Sequence, residues 1–428
     1  MAKIMEPSKH IPFDLINENI LPRFPVKSLV RFTSVCKAWE KLIKSPEFIA
    51  THFKFNNRPE SEGQYPLILK DKLCYTLKNQ IPVYFDALGS ISDCSRNRKV
   101  DFIPESCKGL ILLKVLKEKH GLSKIQYLLW NPSIRKSITI ESFFPEDNFH
   151  KPRPRRIESG YNVRGLGFHE SSNDYRVVRI KYVYVKNKIS PRVKIYSLKT
   201  NSWRNADSNP NGLMGFSGGV FLNGYVHWLA TRLYCVVHGA CYPNEYCIGS
   251  ILSFDFEKEC FGEMKLPTDF AEGSASPAVL VAFKEFQGSL VVVFSDFDVN
   301  KCFVWVMGEY GVTDSWYKKL SVRLPDNCGS RLGFTKNGMI VCEEYKQVED
   351  WHTKKIRKEV SGYIFLDIEK FEEDKPCDRD NDISEDDDIS EVEDCDDYNS
   401  KDDDMLGEEA HATRAMVIDY MESLALLK

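Results

Sequence analysis

No stretch of this chain approaches the roughly 18 consecutive apolar residues that a membrane-crossing helix needs. Its first residues, MAKIMEPSKHIPFDL, lack the apolar core of a secretory signal, so the expected location is the cytoplasm, the nucleus or both. Cysteine occurs thirteen times, an odd number, and never as Cys-x-x-Cys, which argues against a disulfide framework and against a zinc ribbon. The one Asn-x-Ser/Thr triplet, Asn131-Pro132-Ser133, carries the proline that blocks glycosylation. A reducing compartment is expected.

Catalytic signatures are missing too. The nine histidines show no His-Glu-x-x-His or His-x-x-Glu-His spacing, no glycine-rich phosphate loop follows a strand, and no Gly-x-Ser-x-Gly elbow occurs. No catalytic residue, no cofactor and no metal is therefore expected. Cys235, His238, Cys241 and Cys247 are spaced by three, three and six, which fits no common zinc pattern, and they are expected to be packed thiols instead. The basic run Lys151-Pro152-Arg153-Pro154-Arg155-Arg156 has prolines that imply an extended loop. Without interleaved aromatics it lacks the signature of single-strand binding, so nucleic acid is disfavoured as a partner.

What the chain does have is length, apolar content and a lopsided charge. At 428 residues and 43% hydrophobic it can fill more than one core, so two or more folding units are expected. Its net charge of -4 hides residues 369–409, where 21 acidic residues face 4 basic ones and leave the remainder of the chain strongly positive. Residues 371–409 offer little to bury against the entropy of ordering them, and are expected to form a disordered acidic insertion that screens the positive body. Within it Ser384 and Ser390 precede acidic residues and are candidate phosphorylation sites for an acidophilic kinase, with an unmodified solvated loop as the open alternative.

Apolar residues recur at helical spacing from Ile11 to Phe53. Pro12 suits a first helical turn, and Asp14 beside it complements the helix dipole. Phe13, Ile16, Ile20 and Phe24 are expected on one stripe. A second short helix opens at Pro25 with Val26, Leu29 and Val30, and a third carries Val35, Trp39, Leu42 and Ile43 up to a stop at Ser45-Pro46. Three helices in so few residues cannot cover their own apolar groups, so either a partner or the rest of the chain must do so.

The string IPFDLINENILPRFPVKSLVRFTSVCKAWEKLIKSPEFIATHF resembles the F-box. Its matching elements are Pro12, Asp14-Leu15, Ile20-Leu21, Pro25-Val26-Lys27-Ser28-Leu29, Arg31-Phe32, Val35-Cys36-Lys37, Trp39 and Ser45-Pro46-x-Phe48. Ile11 stands where leucine is usual, and Asn19 where glutamate is common. The resemblance implies docking to the Skp-type linker of a cullin-RING ubiquitin ligase, through Pro12, Ile16, Ile20, Leu21, Pro25, Leu29, Val35 and Trp39, with Trp39 as the anchor. Cullin and RING subunits are then indirect partners.

Beyond about Arg58 the apolar period changes from helical to alternating. In Gly218–Trp228 the dipeptide Asn223-Gly224 supplies the two positive-φ residues of a tight hairpin, and Asn337-Gly338 repeats the device. Related turns are expected at Lys108-Gly109, Ser172-Asn173-Asp174 and Gln287-Gly288. Strand-turn-strand units recur every 50 to 70 residues, with turns near 132, 200, 258, 311 and 369, which is the mark of a β-propeller of about six blades. The last blade is expected to be assembled from strands around 65–85 and 415–427, and a pair of β-sandwiches is the alternative. Trp203, His227-Trp228, Trp305 and Trp316 are expected in the packing between blades.

The phrases GLGFHESSNDYRVVRI, VKIYSLKTNSWR, GYVHWLA and VWVMGEYGVTDSWYKKL resemble the F-box-associated, kelch-like domain of plant F-box proteins, the S-locus type included; residues 70–102 match poorly. The expected organisation is a flexible segment over 1–9, an F-box over 10–53, a linker over 54–64 and a propeller-like domain over 65–428. The resemblance implies a non-catalytic substrate adaptor that holds an unknown target protein near the ubiquitin-conjugating machinery. A linker-bound module acting without cullin, and a propeller hydrolase, are the alternatives.

Overall fold

The structure is a computed structural model, and it describes residues 15–56, 64–70, 73–78, 81–85, 98–119, 122–141, 158–185, 188–215, 217–233, 249–267, 279–296, 301–325, 328–335, 338–349, 356–367 and 416–427. Pro12, the basic run at 151–156, the Cys235 to Cys247 cluster, Ser384, Ser390 and the acidic segment all lie outside these residues.

The chain starts with a helical module. From Leu15, α-helical where the description begins, the expected first helix passes into a wide π-type turn, Ile16–Ile20, followed by a tight 3-10 turn, Leu21–Arg23. Pro22 explains the difference, because it has no N–H to continue an α-helical ladder and the chain must widen before it and tighten after it. Helices α1 (Val26–Phe32) and α2 (Lys37–Ile43) follow as the spacing predicts. Ser45-Pro46, however, starts a helix instead of only ending one. Helix α3 runs Pro46–Asn56, with Pro46 where its missing N–H costs nothing and Ser45 Oγ accepting the Phe48 N–H at 3.2 Å. The same dipeptide closes one helix and caps the next.

The rest is antiparallel sheet. Strands β1 (Gln64–Lys70), β2 (Leu73–Lys78) and β3 (Ile81–Phe85) form the first sheet, completed by β24 (Met416–Met421). The second holds β4 (Arg98–Cys107), β5 (Leu110–Lys119), β6 (Leu122–Asn131) and β7 (Lys136–Glu141). The third holds β8 (Glu158–His169), β9 (Asp174–Val185), β10 (Lys188–Ser197) and β11 (Ser202–Asn205). In the fourth, β12 (Leu213–Gly215) and β13 (Val220–Leu222) both pair with β14 (Tyr225–Arg232), followed by β15 (Ser250–Asp255) and β16 (Cys260–Lys265). The fifth holds β17 (Val279–Phe286), β18 (Ser289–Asp296), β19 (Lys301–Met307) and β20 (Trp316–Arg323). The sixth holds β21 (Cys328–Phe334), β22 (Met339–Glu349) and β23 (Ile356–Asp367).

These sheets form a ring. Strand β24 touches β4, β4 touches β8, β8 touches β13, β13 touches β17, β17 touches β21, and β21 returns to β24. Pairing of β1 with β24, with Leu67 opposite Ile418, joins residues more than 300 positions apart and closes the circuit. The open pair of sandwiches is thereby ruled out.

Apolar side chains fill the wedges between neighbouring sheets. Trp228 and Phe254 pack with Val178 and Ile180 between the third and fourth sheets, and Trp305 and Trp316 pack with Leu229 and Ile251 between the fourth and fifth. Trp203 lies at the edge of the cluster between the second and third sheets, as the alternating pattern predicts. The hairpin dipeptides behave as read, with φ of +54° and +85° at Asn223-Gly224 and +50° and +81° at Gln287-Gly288.

Turns of neighbouring sheets meet on one face of the ring. Tyr175 donates to the Lys108 carbonyl at 2.8 Å, Lys108 pairs with Glu170, Ser171 Oγ donates to Glu257 at 2.7 Å, and Arg176 reaches Glu259 at 2.8 Å. The helical module sits against this same face, because Ile134, in the turn between β6 and β7, packs against its core.

Candidate partner-docking site

The helical module has an inside and an outside. Leu21, Val26, Leu29, Ile43 and Phe48 are buried together, flanked by the half-buried Ile16, Phe24, Val30, Phe32, Trp39, Leu42 and Ile49. Rings set the spacing at its edge, with Phe24 and Phe32 centroids 5.2 Å apart and Phe32 and Trp39 5.5 Å apart. His52, fully buried on α3, lies with Nε2 3.0 Å from the Phe24 carbonyl, tying the last helix to the chain before α1. Burial pushes its pKa down, opposed by the contact with the Phe24 carbonyl.

The residues named from the sequence divide accordingly. Ile20 is 36% exposed, Val35 is 63% exposed, and Pro25 is exposed. Trp39 and Ile16 are half-buried, each packed against the core on one side. Leu21 and Leu29, at 1% and 0% exposure, are interior residues that hold the outer ones in place. Leu15, 49% exposed, joins the outer set and was signalled only as part of an acidic-apolar pair.

Exposed charges on the module are mainly basic, with Glu18 and Glu47 as the exposed acidic residues among the described ones. Arg23, Lys27, Arg31, Lys37 and Lys41 are all exposed, and Arg23 lies over the Phe55 ring at 5.1 Å. Glu40 is held by Lys44 at 2.8 Å, one turn along α2, and that partner lowers its pKa. No group of His, Cys, Asp or Glu able to hold a metal ion occurs among the described residues. No helix among them is long and apolar enough to cross a membrane.

Inside the ring lies one buried ionisable group that no sequence motif signalled. Glu105 on β4 is 2% exposed, accepts the Leu166 N–H at 2.8 Å and lies 3.6 Å from Arg164 Nε. It ties three innermost strands together, since the Gly219 N–H before β13 also points to it.

Comparisons with known proteins agree with this division of the chain. Residues 11–51 match the family model described as F-box domain, and residues 75–398 match that of the F-box associated beta propeller domain. Among curated proteins, F-box protein CPR1 of Arabidopsis thaliana is 28% identical over 339 residues, covering 75% of each chain. An F-box/kelch-repeat protein of the same plant is 26% identical over 331 residues, 73% of this chain and 79% of that one.

Proposed function

The chain belongs to the F-box associated beta propeller family and carries an F-box ahead of that domain, and from this premise we propose that it is the substrate-recognition adaptor of a Skp-cullin-F-box ubiquitin ligase. The observation that carries the proposal is the apolar set Leu15, Ile20 and Val35, left uncovered on a helical module that is otherwise packed. On this proposal Ile16, Ile20, Pro25, Val35 and Trp39 meet the Skp-type linker, Pro12 belongs to the same surface, and Leu21 and Leu29 support it from within. The mainly basic exposed charge of the module suits an acidic linker surface and speeds its encounter.

The ring is proposed to hold the target protein. Nothing in this role requires a catalytic group in the chain, because the contribution is proximity. Tethering a target to the linker, and through it to cullin and RING subunits, turns a bimolecular transfer into one within an assembly and raises the effective concentration of the target's lysines.

Val35→Asp tests the docking surface. An exposed residue tolerates substitution with little change in stability, about ±0.5 kcal/mol, whereas a carboxylate buried in an apolar interface is costly. Recovery of the linker in affinity capture of the full chain is expected to fall tenfold or more, with an unchanged melting curve. Capture of linker and cullin together by the wild-type chain supports the ligase role. Linker without cullin would favour a binding module that does not promote ubiquitylation, and undiminished capture by Val35→Asp would remove the docking surface proposed here.

A further inference from the structure

We propose that residues 422–427 act as a clasp that completes the core of the F-box, so that the docking patch is shaped by the segment following the strand that closes the ring. Leu424 and Leu427 are 0% and 6% exposed, and their neighbours are Leu21, Val26, Leu29, Ile43 and Phe48. The helices alone are too few to close a core of their own, as modules of roughly 40 residues generally are. The missing wall comes from the other side of the ring closure.

Three features hold that wall in place. Asn131, fully buried at the end of β6, donates from Nδ2 to the Ser423 carbonyl at 2.9 Å and to the Ala425 carbonyl at 2.7 Å. Its Oδ1 meanwhile accepts the Ser133 N–H at 3.0 Å. An amide is required here, since an acid of the same shape lacks the two hydrogens that the carbonyls need. Gly109, at φ +77°, lets the chain press against the turn after β4, where a Cβ would lie 2.1 Å from Ser423 Cβ and 2.9 Å from the Met421 carbonyl oxygen.

The third feature reaches into the F-box. Helix α1 has no side-chain cap of its own at Pro25, and the N–H of its first residue, Val26, is taken by the Glu422 carboxylate. Burial pushes the Glu422 pKa up, and this bond opposes the rise. One short segment thus supplies apolar wall, helix cap and backbone carbonyls. It is anchored in turn by an asparagine of the second sheet, and the consequence is a fixed attitude of the docking patch relative to the ring. The inference stands whichever partner occupies the patch.

Amide hydrogen exchange of the full chain, read by mass spectrometry, tests it. In a Leu424→Ala/Leu427→Ala variant the amides of α1, α2 and α3 are expected to exchange about 100-fold faster or more, from the cavity that two lost leucines leave. Those of β8, β9 and β10 should keep wild-type protection. Asn131→Asp, which leaves both leucines in place, is expected to give the same selective loss in the helices to a smaller degree, about tenfold. Wild-type protection of the helices in either variant, or loss spread evenly over helices and sheets in both, would overturn the clasp.

Discussion

A Leu29→Asp variant is expected to lose linker binding completely while its ring still melts as a cooperative unit. Leu29 is fully buried among Leu21, Val26, Ile43, Phe48, Leu424 and Leu427. Replacing it removes packing that is worth about 2–5 kcal/mol. A carboxylate in the same space adds a desolvation cost of several kcal/mol. A module of this size cannot absorb both, since whole domains are stable by only about 5–15 kcal/mol. Circular dichroism should show helical signal lost at a temperature where the sheet signal persists. The contrast with Val35→Asp is the informative part: both substitutions remove binding, but only the buried one removes the fold of the module. If Leu29→Asp bound the linker with wild-type affinity, neither the core nor the docking surface described above would be right.

Removing Glu105 is expected to be the most damaging single change in the ring. Glu105→Ala strips a partner from Arg164 and from the Leu166 and Gly219 N–H groups at once, where three innermost strands meet. Taking a hydrogen-bonding partner from buried donors costs about 1–3 kcal/mol each, and urea unfolding of the full chain should register a loss of stability of at least that size. The same carboxyl carries a pH dependence. Burial pushes its pKa up to about 8, opposed by Arg164 and by the two N–H donors.

A folded-state pKa raised above the unfolded one means that the folded chain holds the proton more tightly. The resulting stabilisation is fully present below the unfolded carboxyl range, near 4.5, and is lost as pH rises through about 8. Wild-type chain is therefore expected to lose stability between pH 5 and 8.5 relative to Glu105→Gln, whose amide does not titrate. Parallel pH dependence of the two would show that Glu105 is ionised throughout.

Much of the architecture was legible because local chemistry fixes it. Asn-Gly favours positive φ at both positions, and Asn223-Gly224 makes that turn, as Gln287-Gly288 also does. Closure of the ring by residues 416–421 on residues 64–70 follows from the cost of leaving a sheet edge bare, and that pairing is present. Periodicity failed at Ser45-Pro46, where one dipeptide both ends α2 and caps α3. It failed again at Leu21-Pro22, where a missing N–H breaks the regular ladder.

The division of the docking stripe into exposed and buried residues was not readable either. Leu29 and Val35 are both apolar residues in helical stretches, yet only Leu29 joins a core that includes Leu424 and Leu427, almost 400 positions away in the sequence. Asn131 and Glu105 show the same limit. Each is a polar residue at or near the end of a strand, and its long-range partners lie 59 to 294 positions distant. Long-range polar contacts leave no period behind.

Cys36 allows the central claim to be tested directly. Its thiol is exposed beside Val35, inside the proposed interface, while Cys260, also exposed, lies on β16 in the fourth sheet. Alkylation of both thiols by N-ethylmaleimide should be followed in the full chain with and without saturating Skp-type linker. If the patch docks the linker, Cys36 becomes at least tenfold slower to react and Cys260 keeps its rate. Unchanged labelling of Cys36 in the saturated complex would contradict the account.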